Sequence, residues 1–146
     1  MTKEILTKDT IVLGAHPPNN KEEAIRFTGN ILRDHGYVEA TYVEKMLERE
    51  QVTTTYIGNN VAIPPHGTED AKKAVLETGI SVVIVPEGVD FDGNTVKILI
   101  GIAGKGDEHL EILSKIAIVC SEEENITKLI QAETKDEIIN LLGGVN

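Results

Sequence analysis

An α/β fold with helices covering both faces of a mixed sheet is predicted by three features of this chain. Two apolar runs, Ile80-Ser-Val-Val-Ile-Val-Pro86 and Val96-Lys-Ile-Leu-Ile-Gly-Ile-Ala103, are almost unbroken and rich in β-branched residues, as expected of strands buried on both faces. Helical patterns precede the first run, and three more helical segments follow the second. Sheet-forming runs flanked in this way need helices on either side to bury them. With 146 residues, the chain is expected to form one domain, residues 1–146, that buries roughly two-thirds of its unfolded surface.

The elements follow in order. Residues 10–13 form a short candidate strand, and Leu13-Gly-Ala-His-Pro-Pro-Asn-Asn20 is a loop by its proline, glycine and asparagine content. Asn20 opens a helix. Glu23 stands three positions on, a capping-box spacing, and Ala24, Phe27, Ile31 and Leu32 continue at helical intervals. Gly36 closes it as a residue able to take the left-handed conformation, with His35 in the last turn. Thr41 with Glu44 repeats the capping spacing, and Val43, Met46 and Leu47 give a second apolar stripe that ends near Glu50.

Next comes Gly58-Asn-Asn-Val61-Ala62-Ile63-Pro64-Pro65-His66-Gly67, a strand-like run stopped by two prolines. Thr68 is placed to cap a short helix through Val75, which Gly79 stops. Glu87-Gly88 and Asp92-Gly93-Asn94 are turn signals around the two buried strands. After Gly104-Lys-Gly-Asp107 a helix carries Leu110, Leu113, Ile116, Ala117 and Cys120 on one side. Helices over about 122–132 and 134–142 finish the chain, and Thr134 with Glu137 is a third capping box.

Composition narrows the function. Aromatic residues make up 3% with no tryptophan, and the net charge is −10. Both argue against nucleic acid, which calls for stacking platforms and a basic surface. A basic protein partner suits that charge better. The single cysteine, Cys120, excludes an internal disulfide and falls on an apolar helix face, where a small core residue is expected rather than a nucleophile. Met1-Thr2-Lys3-Glu4-Ile5-Leu6 lacks the apolar core of a signal peptide. No apolar run approaches the about 18 residues of a membrane span. A cytoplasmic protein without direct membrane insertion is the expectation.

The four histidines carry different weight. His16 sits in a loop and His35 at a helix end, where neither needs a chemical role. His66 is set down directly after the strand-stopping prolines, and Gly67 beside it leaves room for the backbone to lie close to a bound group. His109 opens the helix that follows the second buried strand. It reads either as a surface residue or as a partner for His66, because ligands of open α/β sheets gather outside strand ends. Arg49, between Glu48 and Glu50, is either a weakly paired surface residue or a guanidinium placed for a phosphoryl group.

No phosphate-cradling glycine loop, dinucleotide fingerprint or His-Glu-x-x-His pattern occurs. No cofactor and no metal are therefore implied, although a zinc hydrolase built on His66, His109 and an unassigned carboxylate stays open. A lone histidine acting as the nucleophile fits best: neutral imidazole attacks well near pH 7 and passes a phosphoryl group onward.

The stretch Gly58 to Thr68, preceded by Arg49 and followed by Asp107-Glu108-His109-Leu110, resembles the enzyme IIA proteins of the bacterial phosphoenolpyruvate-dependent sugar phosphotransferase system. It is most similar to the mannitol branch of the mannitol/fructose group. Lys21-Glu-Glu-Ala-Ile-Arg-Phe27, Gly36-Tyr-Val-Glu39, residues 42–50 and Pro86-Glu-Gly-Val89 extend the resemblance over nearly the whole chain. It implies a three-layer α/β/α sandwich on a mixed sheet of about five strands. It also implies a phosphohistidine intermediate, loaded by the carrier protein HPr and unloaded onto a cysteine of the mannitol enzyme IIB domain.

Carried onto this chain, the resemblance makes His66 the phosphorylated residue through Nε2, with His109 as the second site histidine. Arg49 would neutralise charge, backbone N–H groups around Gly67 would donate, and Thr54 would offer a hydroxyl contact. A regulatory, nitrogen-related enzyme IIA that controls a partner according to its phosphorylation state is the alternative within the same resemblance. One departure stands out: Pro64 and Pro65 both precede His66, where the family pattern has a single proline. An extra residue at a strand end reverses the side on which the next side chain emerges unless a bulge absorbs it.

Overall fold

The computed structural model describes residues 5–16, 18–50, 56–58, 61–62, 73–91, 93–104 and 108–142; at 49, 50, 56–58, 62 and 108–110 it describes the backbone. After a 3-10 turn at Lys8–Thr10 come β1 (Ile11–Val12), α1 (Lys21–Asp34), α2 (Ala40–Glu50), β2 (Tyr56–Gly58), β3 (Val61–Ala62), β4 (Gly79–Phe91) and β5 (Asn94–Ala103). Helices α3 (Glu108–Cys120), α4 (Glu123–Ile130) and α5 (Lys135–Leu142) follow.

Among the described residues the strands form one mixed sheet in the order β1-β4-β5-β3-β2. β4 and β5 are a long antiparallel hairpin; β1 runs parallel to β4, β3 parallel to β5, and β2 antiparallel to β3. Side chains alternate along the central strands as strand geometry requires. Val83, Val85, Leu99 and Ala103 join a core with Ala24, Ile25 and Leu32 of α1 and Tyr42 and Met46 of α2. Ile80, Val82, Ile84, Ile98, Ile100 and Ile102 face a second core with Ile112 and Ile116 of α3, Ile126 and Leu129 of α4 and Ile138 and Leu142 of α5.

Local signals account for several element ends. Asn20 caps α1 by accepting from the Glu23 amide at 2.9 Å, and the Glu23 carboxylate reaches back to the Asn19 amide at 3.0 Å. At the other end of α1, Gly36 adopts φ 80°. Its amide donates to Arg33 O at 3.1 Å and that of Tyr37 to Leu32 O at 2.9 Å, the paired bonds of a Schellman cap. The third capping box forms in both directions: the Glu137 amide donates to Thr134 Oγ1 at 3.3 Å, and Glu137 Oε2 accepts from the Thr134 amide at 3.4 Å.

Four expectations are corrected. Helix α2 starts at Ala40, so Thr41 lies inside the helix rather than capping it, and Glu44 pairs with Arg26 across to α1 at 3.2 Å. Glu87-Gly88 is not a turn, because β4 continues to Phe91. Pairing jumps from Ile84↔Ile98 to Val89↔Val96, which leaves residues 85–88 opposite Lys97 alone. Pro86 has no N–H for the ladder, and Gly88 at φ 83° absorbs the excess as a bulge. The buried stripe of α3 is Ile112, Ile116 and Cys120, while Ala117 is exposed and Leu113 only half-buried; the isoleucines take the sheet-facing side. Val75, expected to end a helix, instead bridges Val38 in antiparallel fashion.

One close approach fixes α1 on the sheet. A Cβ at Gly101 would lie 2.6 Å from Ser81 Oγ and 2.8 Å from Thr28 Cγ2. Ser81 Oγ donates to Thr28 O at 2.9 Å, and Thr28 Oγ1 to Ala24 O at 2.8 Å. These buried hydroxyls are thus paired rather than left as a desolvation cost.

Candidate active site

The register of β3 on β5 defines the edge where the candidate residues gather in sequence. Val61 lies opposite Ile98 and Ala62 opposite Leu99, in parallel. The carboxyl ends of both strands therefore point to the same edge of the sheet. His66 stands four positions beyond Ala62 and His109 six beyond Ala103. His109 is the second residue of α3, whose amino-terminal end follows β5. A helix amino terminus carries a partial positive charge and open N–H groups, both favourable to an anion.

β2 begins at the same edge, since Tyr56 lies opposite Ala62. Arg49 is the penultimate residue of α2, and the chain from Glu50 to Tyr56 spans at most about 22 Å. His66, Gly67 and Thr54 lie outside the described residues, as do Pro64, Pro65 and the helix expected from Thr68. Of the predicted site residues, Arg49 and His109 are thus placed on the ends of the elements that lead to this edge.

The connection between α1 and α2 holds the chain just downstream of the His66 stretch. Val38 bridges Val75, the Glu39 amide donates to Ala74 O at 2.8 Å, and Tyr37 O accepts from the amides of Leu76 at 2.8 Å and Glu77 at 3.0 Å. The Tyr37 ring packs over the start of β4: a Cβ at Gly79 would lie 2.3 Å from Tyr37 Cδ1. A few residues on, the buried Tyr42 hydroxyl donates to Ile102 O at 2.7 Å, one residue before β5 ends. Burial raises the Tyr42 phenol well above its ordinary range, so it remains an O–H donor. Sequence reasoning missed this tie. A tyrosine on the apolar stripe of a helix was its only available signal.

The other residues singled out fall elsewhere. His16 is exposed in the loop after β1, which lies at the opposite edge because Ala15 donates to Ile84 O at 3.0 Å. His35 ends α1 with Nδ1 2.9 Å from Ile31 O. Cys120 is buried and its thiol is pushed up to about 11 by desolvation, which disfavours the nucleophilic thiolate. Among the described residues no cluster of three or more His, Cys, Asp or Glu is placed to hold a metal ion, and no helix is long and apolar enough to cross a membrane.

The strands that precede His66 and His109 in sequence are thus parallel neighbours in one sheet, and Arg49 stands at the end of the helix that precedes β2. The sequence model of the phosphoenolpyruvate-dependent sugar phosphotransferase system EIIA 2 family matches residues 4–144, and the chain belongs to that family. It is 60% identical to the mannitol-specific phosphotransferase enzyme IIA component of Geobacillus stearothermophilus, over all of both chains. With the Bacillus subtilis component of the same name it shares 51% identity over 98% of this chain and 99% of the other.

Among solved structures it is similar to the crystal structure of IIA mannitol from Escherichia coli, with a TM-score of 0.84 and 38% identity over 94% of this chain and 98% of that one. It is also similar to a chain of the E. coli complex of enzyme IIA mannitol with phosphorylated enzyme IIB mannitol, with a TM-score of 0.87 and 39% identity over 95% and 97% of the two chains.

Proposed function

We propose that this chain is the phosphocarrier of a mannitol phosphotransferase system. It takes a phosphoryl group from phospho-HPr on His66 and hands it to a cysteine of the mannitol-specific enzyme IIB domain, in support of mannitol uptake from the cytoplasmic side. The observation that carries this reading is 60% identity with a mannitol-specific enzyme IIA component across the whole alignment of the two chains. We read the fold as a three-layer α/β/α sandwich on five strands, with residues 1–146 forming a single EIIA domain.

The chemistry needs little beyond placement. Neutral His66 Nε2 attacks phosphorus as the bond to the donor breaks, so the donor leaves with the electron pair and a phosphohistidine forms. In the second half the IIB thiolate attacks phosphorus and the N–P bond breaks, returning His66 to the neutral form. In-line transfer of this kind relies on positioning and on charge stabilisation at the equatorial oxygens. Arg49, His109 and the N–H groups around Gly67 are the donors for that role, with Thr54 as a further hydroxyl contact. Neither half-reaction requires a metal, nucleotide or cofactor.

The alternative is a regulatory enzyme IIA that reports its phosphorylation state to a partner. Similarity to the nitrogen regulatory protein IIA-Ntr of Neisseria meningitidis, with a TM-score of 0.78 and 26% identity over 94% and 96% of the two chains, keeps it as the second reading. Labelled phosphoenolpyruvate, enzyme I and HPr, followed by a mannitol IIB domain, decides between them. Label passing to the IIB cysteine is the carrier's result. Labelling of this chain without onward transfer to any sugar IIB domain is the regulator's.

A further inference from the structure

We draw no further inference here: the strongest candidate, the cavity of about 350 Å³ between α4 and α5 lined by Lys128, Gln131, Glu137, Asn140 and Leu141, carries nothing, because its polar side chains are all exposed and its two charged ones already pair with Glu124 and with the amides of Glu133 and Thr134.

Discussion

Ala62 of β3 lies opposite Leu99 of β5 in parallel register, so the strand that precedes His66 and the strand that precedes His109 end at one edge of the sheet. β3 pairs over only two residues, yet it pairs with a strand buried from Ile98 to Ala103. The central hairpin supplies the rigidity, and β3 borrows it.

The two histidines should behave differently when removed. His66→Ala is expected to abolish phosphorylation by phospho-HPr, because the proposed transfer forms its N–P bond there. His109→Ala should still be labelled, at a rate lowered about a hundred- to a thousandfold, the loss expected if it is one of the donors to the transferring group. Acid-labile label measured by phosphoamino-acid analysis checks both. Histidine label on His66→Ala would show that the nucleophile has been misassigned.

Arg49 separates charge from geometry. Lysine keeps the charge and loses the planar fork that the proposed role requires for holding two phosphoryl oxygens. Arg49→Lys should lower the maximal transfer rate about tenfold, and Arg49→Gln further, with little change in thermal stability. Transfer at the wild-type rate in both variants would return Arg49 to the surface pairing that Glu48 and Glu50 suggest.

Gly101 should resist enlargement. A Cβ there would meet Ser81 Oγ at 2.6 Å and Thr28 Cγ2 at 2.8 Å, and Ser81 is already committed to Thr28 O. Gly101→Val must therefore lift α1 from the sheet or break that bond, at a cost of about 1–3 kcal/mol. Urea unfolding monitored by circular dichroism measures it as a lower midpoint at unchanged slope.

What the sequence disclosed follows the range of the interactions. Asn20 with Glu23, Thr134 with Glu137, and Gly36 with Tyr37 act within a turn of helix, and their spacing alone reveals them. The buried runs over 80–86 and 96–103 showed as strands because nothing else in a chain of this length buries so many β-branched residues in a row. Gly88 misled because a glycine after Pro86-Glu87 signals a turn locally, while pairing with Val96 beyond it carries β4 onward as a bulge. Thr41 misled in the same way, since a capping spacing recurs by chance inside helices. Val38 with Val75 and Tyr42 with Ile102 were invisible because they are tertiary contacts between residues whose own neighbours do not mark them. At the candidate site, the ends of α2, β3 and β5 were foreseen around Arg49, His66 and His109, and parallel pairing of β3 on β5 is what the structure adds.

Cys120 gives the stability curve an alkaline edge. Its thiol is pushed up from an ordinary value of 9.0 to about 11 in the folded chain by burial. Below pH 9 both states hold the proton, and its contribution to stability is fully present. Between about pH 9 and 11 the unfolded chain has released the proton and the folded chain has not, so stability falls as pH rises. Tyr42, whose phenol is also raised by burial, extends the fall above pH 10. Cys120→Ala should remove the portion between pH 9 and 11 and leave Tyr42's. Chemical unfolding at pH 7, 9, 10 and 11, wild type beside variant, tests this. Parallel curves for the two proteins would show that the buried thiol titrates no differently in the fold than in the open chain.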